Sequence, residues 1–414
     1  MDRTSDVRFS RWWLVAVAAV AMGAAGTYQF AWSSIRIPLG TRLAAPEVAL
    51  GTVFTLFVVL QTVSQFPAGW VRDRFGPRIP TAVGALSLVA GYAGTAWAPT
   101  IEYVYLFYGI AGVGAGTIYT VAINTPVKWF DERRGLATGV VGLAYAGLSF
   151  VLIPFVRESV ADDFGRTMLG LAALVGVLTL AAVPFLRDPA DEDADAGEVG
   201  SDGGTVREDA DAAVAPDAGE YTWREAVRTW QFWLLYAVFV AVNGAGLMVI
   251  AKVVAFAEAM ALPAAATVAA SLVALGDGAG VLVGGTASDR FGRERTITVS
   301  LVVCGVCLAG AAAAAVEGRS MAFVGLVTAA AFFRSPVFAV VPSLVGDYYG
   351  TSHSSENYAV LYSSKLWGGV GGGTVASALV VRLGWDSTFF LAAILVVLAG
   401  FGTYFLRPVD SDRS

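Results

Sequence analysis

The chain has 414 residues, of which 56% are hydrophobic and 14% charged, with a formal net charge of −6 and a mean hydropathy of +0.65. A soluble chain carries about 25% charged residues, and a run of about 20 apolar residues is enough to cross a bilayer as helix. Such runs recur from end to end, so the composition excludes a soluble globular protein and leaves a multi-pass integral membrane protein.

In chain order the apolar runs predict twelve helical spans. The first six cover residues 12–35, 47–70, 79–98, 101–126, 135–157 and 167–187. The second six cover 230–256, 264–287, 296–316, 320–346, 357–381 and 386–406. The first run follows Arg3, Arg8 and Arg11 and continues to about Ile35. That is longer than the apolar core of a signal peptide, so it reads as an uncleaved first helix. Spans 1 to 6 contain no charge in their interiors. They offer Tyr28, Gln29 and Trp32 in span 1, Gln61 and Gln65 in span 2, Tyr119 and Asn124 in span 4, and Tyr145 in span 5.

Between spans 2 and 3 lies "GWVRDRFGPR", Gly69 to Arg78. Between spans 8 and 9 the chain repeats it as "GTASDRFGRER", Gly285 to Arg295. Glycines at fixed spacing permit a positive φ or a close approach of backbones. An aspartate at a helix end can accept bonds from the free amides that open a neighbouring helix. Midway along the chain, residues 188–229 are rich in Asp, Ala and Gly and have no apolar periodicity, which predicts a disordered acidic linker. The expected organisation is therefore a six-helix bundle over 1–187, the linker over 188–229, and a second six-helix bundle over 230–414.

The second bundle places charges inside its spans. Lys252 lies near the outer end of span 7 and is expected to snorkel to the headgroups. Asp277 in span 8, Arg334 in span 10 and Lys365 in span 11 are deeper. Arg334 is about 18 Å from the inner end of its span at 1.5 Å per residue. A basic residue at mid-membrane costs about 2.5–3.5 kcal/mol on the insertion scale, so each needs a partner or a function. One aspartate against two cations leaves a net positive charge, which a bound anion would neutralise. An ion pair between Asp277 and one of the cations is the structural alternative.

Orientation follows from the basic residues. Of 27 Lys and Arg, three lie inside spans and six in outer loops; the other 18 fall on the side that carries both termini, which predicts cytoplasmic termini. Cys304 and Cys307 form C-x-x-C inside span 9 and read as small buried residues. His353 is the only histidine, so no histidine-rich metal site exists. "GVGAG" (Gly112–Gly116) and "GGVGGG" (Gly368–Gly373) sit inside spans with no preceding strand, and read as helix-packing glycines rather than phosphate loops. No catalytic constellation, cofactor, metal or nucleic-acid partner is expected, and the chain reads as a monomer in the cytoplasmic membrane.

Two matching six-span halves with the doubled hairpin resemble the major facilitator superfamily, whose loop signature is G-x3-D-R-x-G-x-R. Gly69, Asp73, Arg74, Gly76 and Arg78 match it fully. Gly285, Asp289, Arg290 and Gly292 match the second copy, with Arg293 and Arg295 flanking its last position. The resemblance covers all twelve spans and implies an all-α fold of two pseudo-symmetric bundles that rock about a midplane site. It also implies that the hairpins latch the cytoplasmic side across the halves, Asp73 near Asn357 and Asp289 near Gly135. "NTPVKWFDERRGLATG", Asn124 to Gly139, is similar to the loop between spans 4 and 5 of oxalate:formate antiporters and monocarboxylate porters.

That branch implies a secondary transporter of small mono- or dicarboxylates, with Lys365 as carboxylate ligand. Its second cation would fall at Val281, which is not basic. Either Arg334 takes over that role from another helix, or the substrate carries one carboxylate. Tyr28 and Tyr119 are the aromatics expected to bind substrate, each offering a ring and a hydroxyl donor. Asp277 is the carboxylate available for proton coupling. Antiport against a counter-anion and proton symport remain open. An exporter of apolar or cationic compounds shares the fold, and a transporter-like sensor is the alternative from another class.

Overall fold

The structure, a computed structural model, describes residues 11–130, 134–187, 221–350 and 353–409. The described residues contain twelve helices long and apolar enough to cross a membrane, and no strand. Spans 2 to 6 are the helices Glu47–Phe75, Arg78–Trp97, Ile101–Trp129, Arg134–Asp162 and Phe164–Ala182. Spans 7, 8, 9 and 12 are Trp230–Ala259, Pro263–Phe291, Arg293–Val316 and Trp385–Thr403.

Three spans are interrupted. Span 1 runs Arg11–Phe30 and resumes as Trp32–Leu43, well past the expected end near Ile35. Span 10 breaks at Ser335, between Ser320–Arg334 and Pro336–Tyr349. Pro336 has no amide hydrogen for the carbonyl one turn back, so the ladder loses a rung there. Span 11 is the most divided: Ser354–Tyr362, Ser364–Val370 and Ala376–Leu383, with a wide π-type turn over Gly371–Val375. Such turns inside helices are frequent at functional sites.

Large apolar side chains face outward, among them Phe66, Phe155, Val177 and Met321. The interior is built from small residues, such as Ala18, Ala21, Ala24 and Ala25 of span 1 and Ala265, Ala266, Ala269 and Ala270 of span 8. Lipid tails are as apolar as leucine, so helices associate through close backbone approach, which small side chains permit.

The hairpins show why their inner glycine is needed. Gly76 and Gly292 have φ of +76° and +86°, a region that other residues rarely adopt, and the next helix starts at Arg78 and Arg293. Gly69 and Gly285 are different. A methyl group there would meet its nearest neighbour at 3.6 and 4.0 Å, an ordinary contact, so neither glycine serves a close approach in this conformation.

The linker boundary moves. Residues 188–220 lie outside the described residues, but the last part of the expected linker, 221–229, is structured. The Tyr221 amide donates to the Tyr349 carbonyl at 2.9 Å, and Trp223–Ala226 forms one helical turn. Bonds from the Thr222 amide and hydroxyl to Glu225 Oε2 (2.9 and 2.8 Å) cap that turn and hold the Glu225 carboxyl below its ordinary range. The capping residues Thr222 and Glu225 sit at the spacing of a capping box, a local signal that the acidic composition upstream conceals.

Candidate functional site

Lys365 belongs to the middle segment of span 11 and is 5% exposed. Its Nζ crosses between the halves and donates to Gln61 Oε1 of span 2 at 3.1 Å. Gln61 Nε2 donates to the Tyr145 hydroxyl at 2.7 Å, and that hydroxyl donates to Gln29 Oε1 at 3.0 Å. This chain of bonds fixes the amide orientation of Gln61, with its oxygen toward the lysine. The rings of Tyr119 and Tyr362 flank the ammonium, their centroids 5.9 and 5.8 Å from Nζ. At that range a cation is attracted to the ring face. All of these partners are neutral, and Lys365 forms no ion pair with a described residue.

Asp277 is engaged by the other cation. Arg334 Nη2 pairs with Asp277 Oδ1, and Ser335 Oγ donates to the same oxygen at 2.6 Å. The Arg334 guanidinium also lies over the Phe338 ring, 5.0 Å from its centroid. Gly246 of span 7 makes room for it, since a Cβ there would stand 2.6 Å from Arg334 Nη1. A narrow cavity inside the second half, lined by Gly246, Val249, Val273, Cys304 and Ala330, reaches both Asp277 and Arg334. With Asp277 and Arg334 neutralising one another, the buried centre retains one positive charge, on Lys365.

Two expectations are corrected. Tyr28 does not face a cavity. It is fully buried inside the first half, stacked on Tyr92 at 3.8 Å with Phe57 and Tyr108 around it, and its hydroxyl donates to the Leu88 carbonyl. Tyr119, by contrast, lies beside Lys365 and packs edge-on against Tyr145. Lys252 does not snorkel: it is 1% exposed and donates to Glu47 Oε1 at 2.9 Å and Ser377 Oγ at 2.5 Å. Every residue from 245 to 257 of span 7 is buried, so at this level the helix has no lipid-facing side along which a lysine could climb.

The latch contacts expected of the hairpins are not made in this conformation. Asp73 pairs with Lys128 at 3.2 Å and Arg72 at 3.6 Å, all within the first half. Asn357 Nδ2 donates to the Tyr221 carbonyl at 2.9 Å instead of serving Asp73. In the second hairpin Arg293 pairs with Asp347 and donates to the Ser343 carbonyl at 2.8 Å, while Asp289 and Arg290 are exposed. Arg74 lies over Trp70 and Phe75, and Arg78 is exposed. Each hairpin thus holds the fourth span of its own half, through Lys128 in span 4 and Asp347 in span 10. Gly135, the other expected partner, lies among residues whose side chains are not described. Between described residues, no hydrogen bond or ion pair links the halves at the hairpins.

Among the described residues, the bonds that join the halves lie at Lys365 or beyond it, on the side away from the hairpins. Thr55 Oγ1 donates to the Gly369 carbonyl at 3.1 Å and accepts from the Thr374 amide at 2.9 Å. Arg157 and Glu258 pair at 2.5 Å, and Lys252 meets Glu47 there as well. The halves are therefore fastened on the far side. Sequence reasoning singled out Lys365 and Tyr119 but passed over Tyr362, which ends the segment before Lys365 and sets its ring beside the ammonium.

The family model of the Major Facilitator Superfamily matches residues 13–268 and 245–414. An oxalate:formate antiporter of Oxalobacter formigenes is 29% identical over 392 residues, 94% of this chain and 90% of that protein. A monocarboxylate transporter 9 of Gallus gallus is 31% identical over 107 residues, covering 26% of this chain and 20% of that one. Two solved structures share the fold. One is a bacterial homologue of the human lysosomal transporter Spinster in an inward-facing, unoccupied conformation (TM-score 0.70, 13% identity, 95% of this chain and 96% of that chain). The other is the xylose transporter XylE of E. coli in a partially occluded inward-open conformation (TM-score 0.72, 12% identity, 96% of this chain and all of that one).

Proposed function

The chain belongs to the major facilitator superfamily of membrane transporters, and on that premise we propose that it carries small organic anions with Lys365 as the carboxylate ligand. The observation that carries the reading is the state of Lys365: a buried ammonium whose partners are one amide oxygen and two tyrosine rings. Neutral partners offset only part of the cost of burying a charge, and an uncompensated cation in a low-dielectric centre attracts an anion. Because Asp277 is committed to Arg334 and Ser335, it does not answer Lys365. One remaining positive charge favours a single carboxylate, in keeping with Val281 where the related antiporters imply a second cation. The likeness to an oxalate:formate antiporter and to a monocarboxylate transporter supports the same substrate class.

Tyr119 and Tyr362 would supply ring faces and hydroxyls to the bound acid. Gln65 lies one turn from Gln61 in span 2, and its Nε2 is buried without a hydrogen-bond partner, a donor that the second carboxylate oxygen can use. We place the hairpin side at the cytoplasm, from the excess of basic residues there. On that orientation the conformation is closed to the outside, with the hairpins disengaged on the inner face.

The test is uptake into reconstituted vesicles of formate, acetate, lactate, pyruvate, oxalate and malonate, run with a counter-anion inside or with a proton gradient. The wild type should prefer a monocarboxylate. Lys365→Gln should abolish uptake of that acid while the protein still inserts and retains its melting temperature. Uptake by Lys365→Gln at wild-type rates would sink the assignment.

A further inference from the structure

A second buried charge cluster lies on the far side. Ser377 stands along span 11 from Lys365, roughly 18 Å away at the rise of a helix. Around it meet Arg36 of span 1, Glu47 at the start of span 2, and Lys252 of span 7. Arg36 Nη2 pairs with Glu47 Oε2, and Lys252 Nζ donates to Glu47 Oε1 at 2.9 Å. Ser377 Oγ accepts from Lys252 at 2.5 Å and donates to Glu47 Oε1 at 3.0 Å. Arg36 and Lys252 are each 1% exposed, and Arg36 Nη1 is buried with no hydrogen-bond partner.

The cluster is short of one anion. Two buried basic side chains surround one carboxylate, and among the described residues Arg36 Nη1 has no hydrogen-bond partner, the guanidinium lying over the Trp385 ring 6.0 Å from its centroid. A simple clamp would be neutral, since an extra buried cation weakens it. The division of these groups between the halves matters as well. Arg36 and Glu47 both belong to the first half and remain paired when the halves part. Lys252 and Ser377 belong to the second half and lose Glu47 at that moment, leaving a bare ammonium beside a hydroxyl donor at the newly opened mouth.

We propose that this cluster is a recruiting site for carboxylates at the far-side mouth: an incoming carboxylate takes the place of Glu47 on Lys252 and Ser377. When the halves close again, Glu47 reclaims Lys252 and the displaced anion moves inward toward Lys365. Glu47 and the substrate therefore alternate on one lysine, and the far side cannot reseal until the anion has left its mouth. The proposal rests on the reading of the chain as a carboxylate transporter.

The test uses the full chain in vesicles of known orientation, with radiolabelled formate and oxalate as probes. Lys252→Gln should raise KM for entry from the far side about tenfold or more, while entry from the hairpin side changes by less than about twofold. Lys252→Arg, which keeps the charge, should restore the far-side KM and separate this effect from misfolding. In a chain with Cys304→Ala and Cys307→Ala, Thr374→Cys reports the gate: Glu47→Gln should speed its labelling by an impermeant thiol reagent several-fold. Equal KM changes from both sides, or none, would overturn recruitment and leave the cluster a lock. A wild type that takes up neither acid nor any other acid of the uptake panel defeats the carboxylate reading and recruitment with it. The labelling of Thr374→Cys would then still show whether Glu47 closes the gate.

Discussion

Lys365 and Lys252 are both buried lysines of the second half, and their partners give them different work. Lys252 has a carboxylate across the interface, whereas Lys365 has only neutral groups. The same distinction applies to Arg334, which has Asp277. Asp277→Asn leaves that guanidinium buried and unpaired, so the variant should lose about 3–5 kcal/mol of stability. Thermal unfolding in detergent should show this, with the Asp277→Asn/Arg334→Gln double variant recovering much of the loss. Tyr28 offers a sharper contrast. If its hydroxyl only ties span 1 to Leu88, Tyr28→Phe should keep wild-type KM and cost about 1 kcal/mol. Tyr119→Phe, beside Lys365, should raise KM for the transported acid. The tyrosines were equivalent in sequence, since each is an aromatic in an apolar span, and only their neighbours distinguish them.

At the scale of elements, span 11 carries both Lys365 and the wide turn over Gly371–Val375. The run "GGVGGG" at residues 368–373 reads as packing or flexibility, and the structure shows the packing. Gly369 faces Val58 and Gly373 faces the backbone of span 2, while Gly371–Val375 forms the wide turn between Lys365 and Ser377. A methyl on Gly373 would stand 2.6 Å from the Gly51 carbonyl oxygen and 3.0 Å from the Thr55 amide. Backbone does not yield as a side-chain tip does, so Gly373→Ala should push spans 2 and 11 apart. The expected outcome is faster thiol labelling of Thr374→Cys from the far side and slower transport. The breaks within spans 10 and 11 were hidden in the sequence because proline and glycine both punctuate helices without stating whether the helix ends, kinks or widens.

At the scale of the whole molecule, the charges of the doubled hairpin are turned toward their own halves in this conformation. Asp73 is held by Lys128 and Asn357 by Tyr221. Closure of the hairpin side requires both to exchange partners. A chain bearing Asp73→Cys and Asn357→Cys should therefore cross-link slowly when empty, and several-fold faster when saturating substrate favours rocking through the closed state. No change in rate with substrate would argue that the hairpins are static supports.

The sequence by itself determined the class and the twelve spans. Apolar run length, charge bias and a repeated motif are local or additive quantities, and a bilayer forces them into helices. Only the tertiary structure decided the partners: Asp277 with Arg334, Glu47 with Lys252, Tyr28 with Leu88. These pairings join residues tens to hundreds of positions apart. The energy of a buried charge or hydroxyl depends on what stands within about 3 Å of it, and the order of residues along the chain does not contain that information.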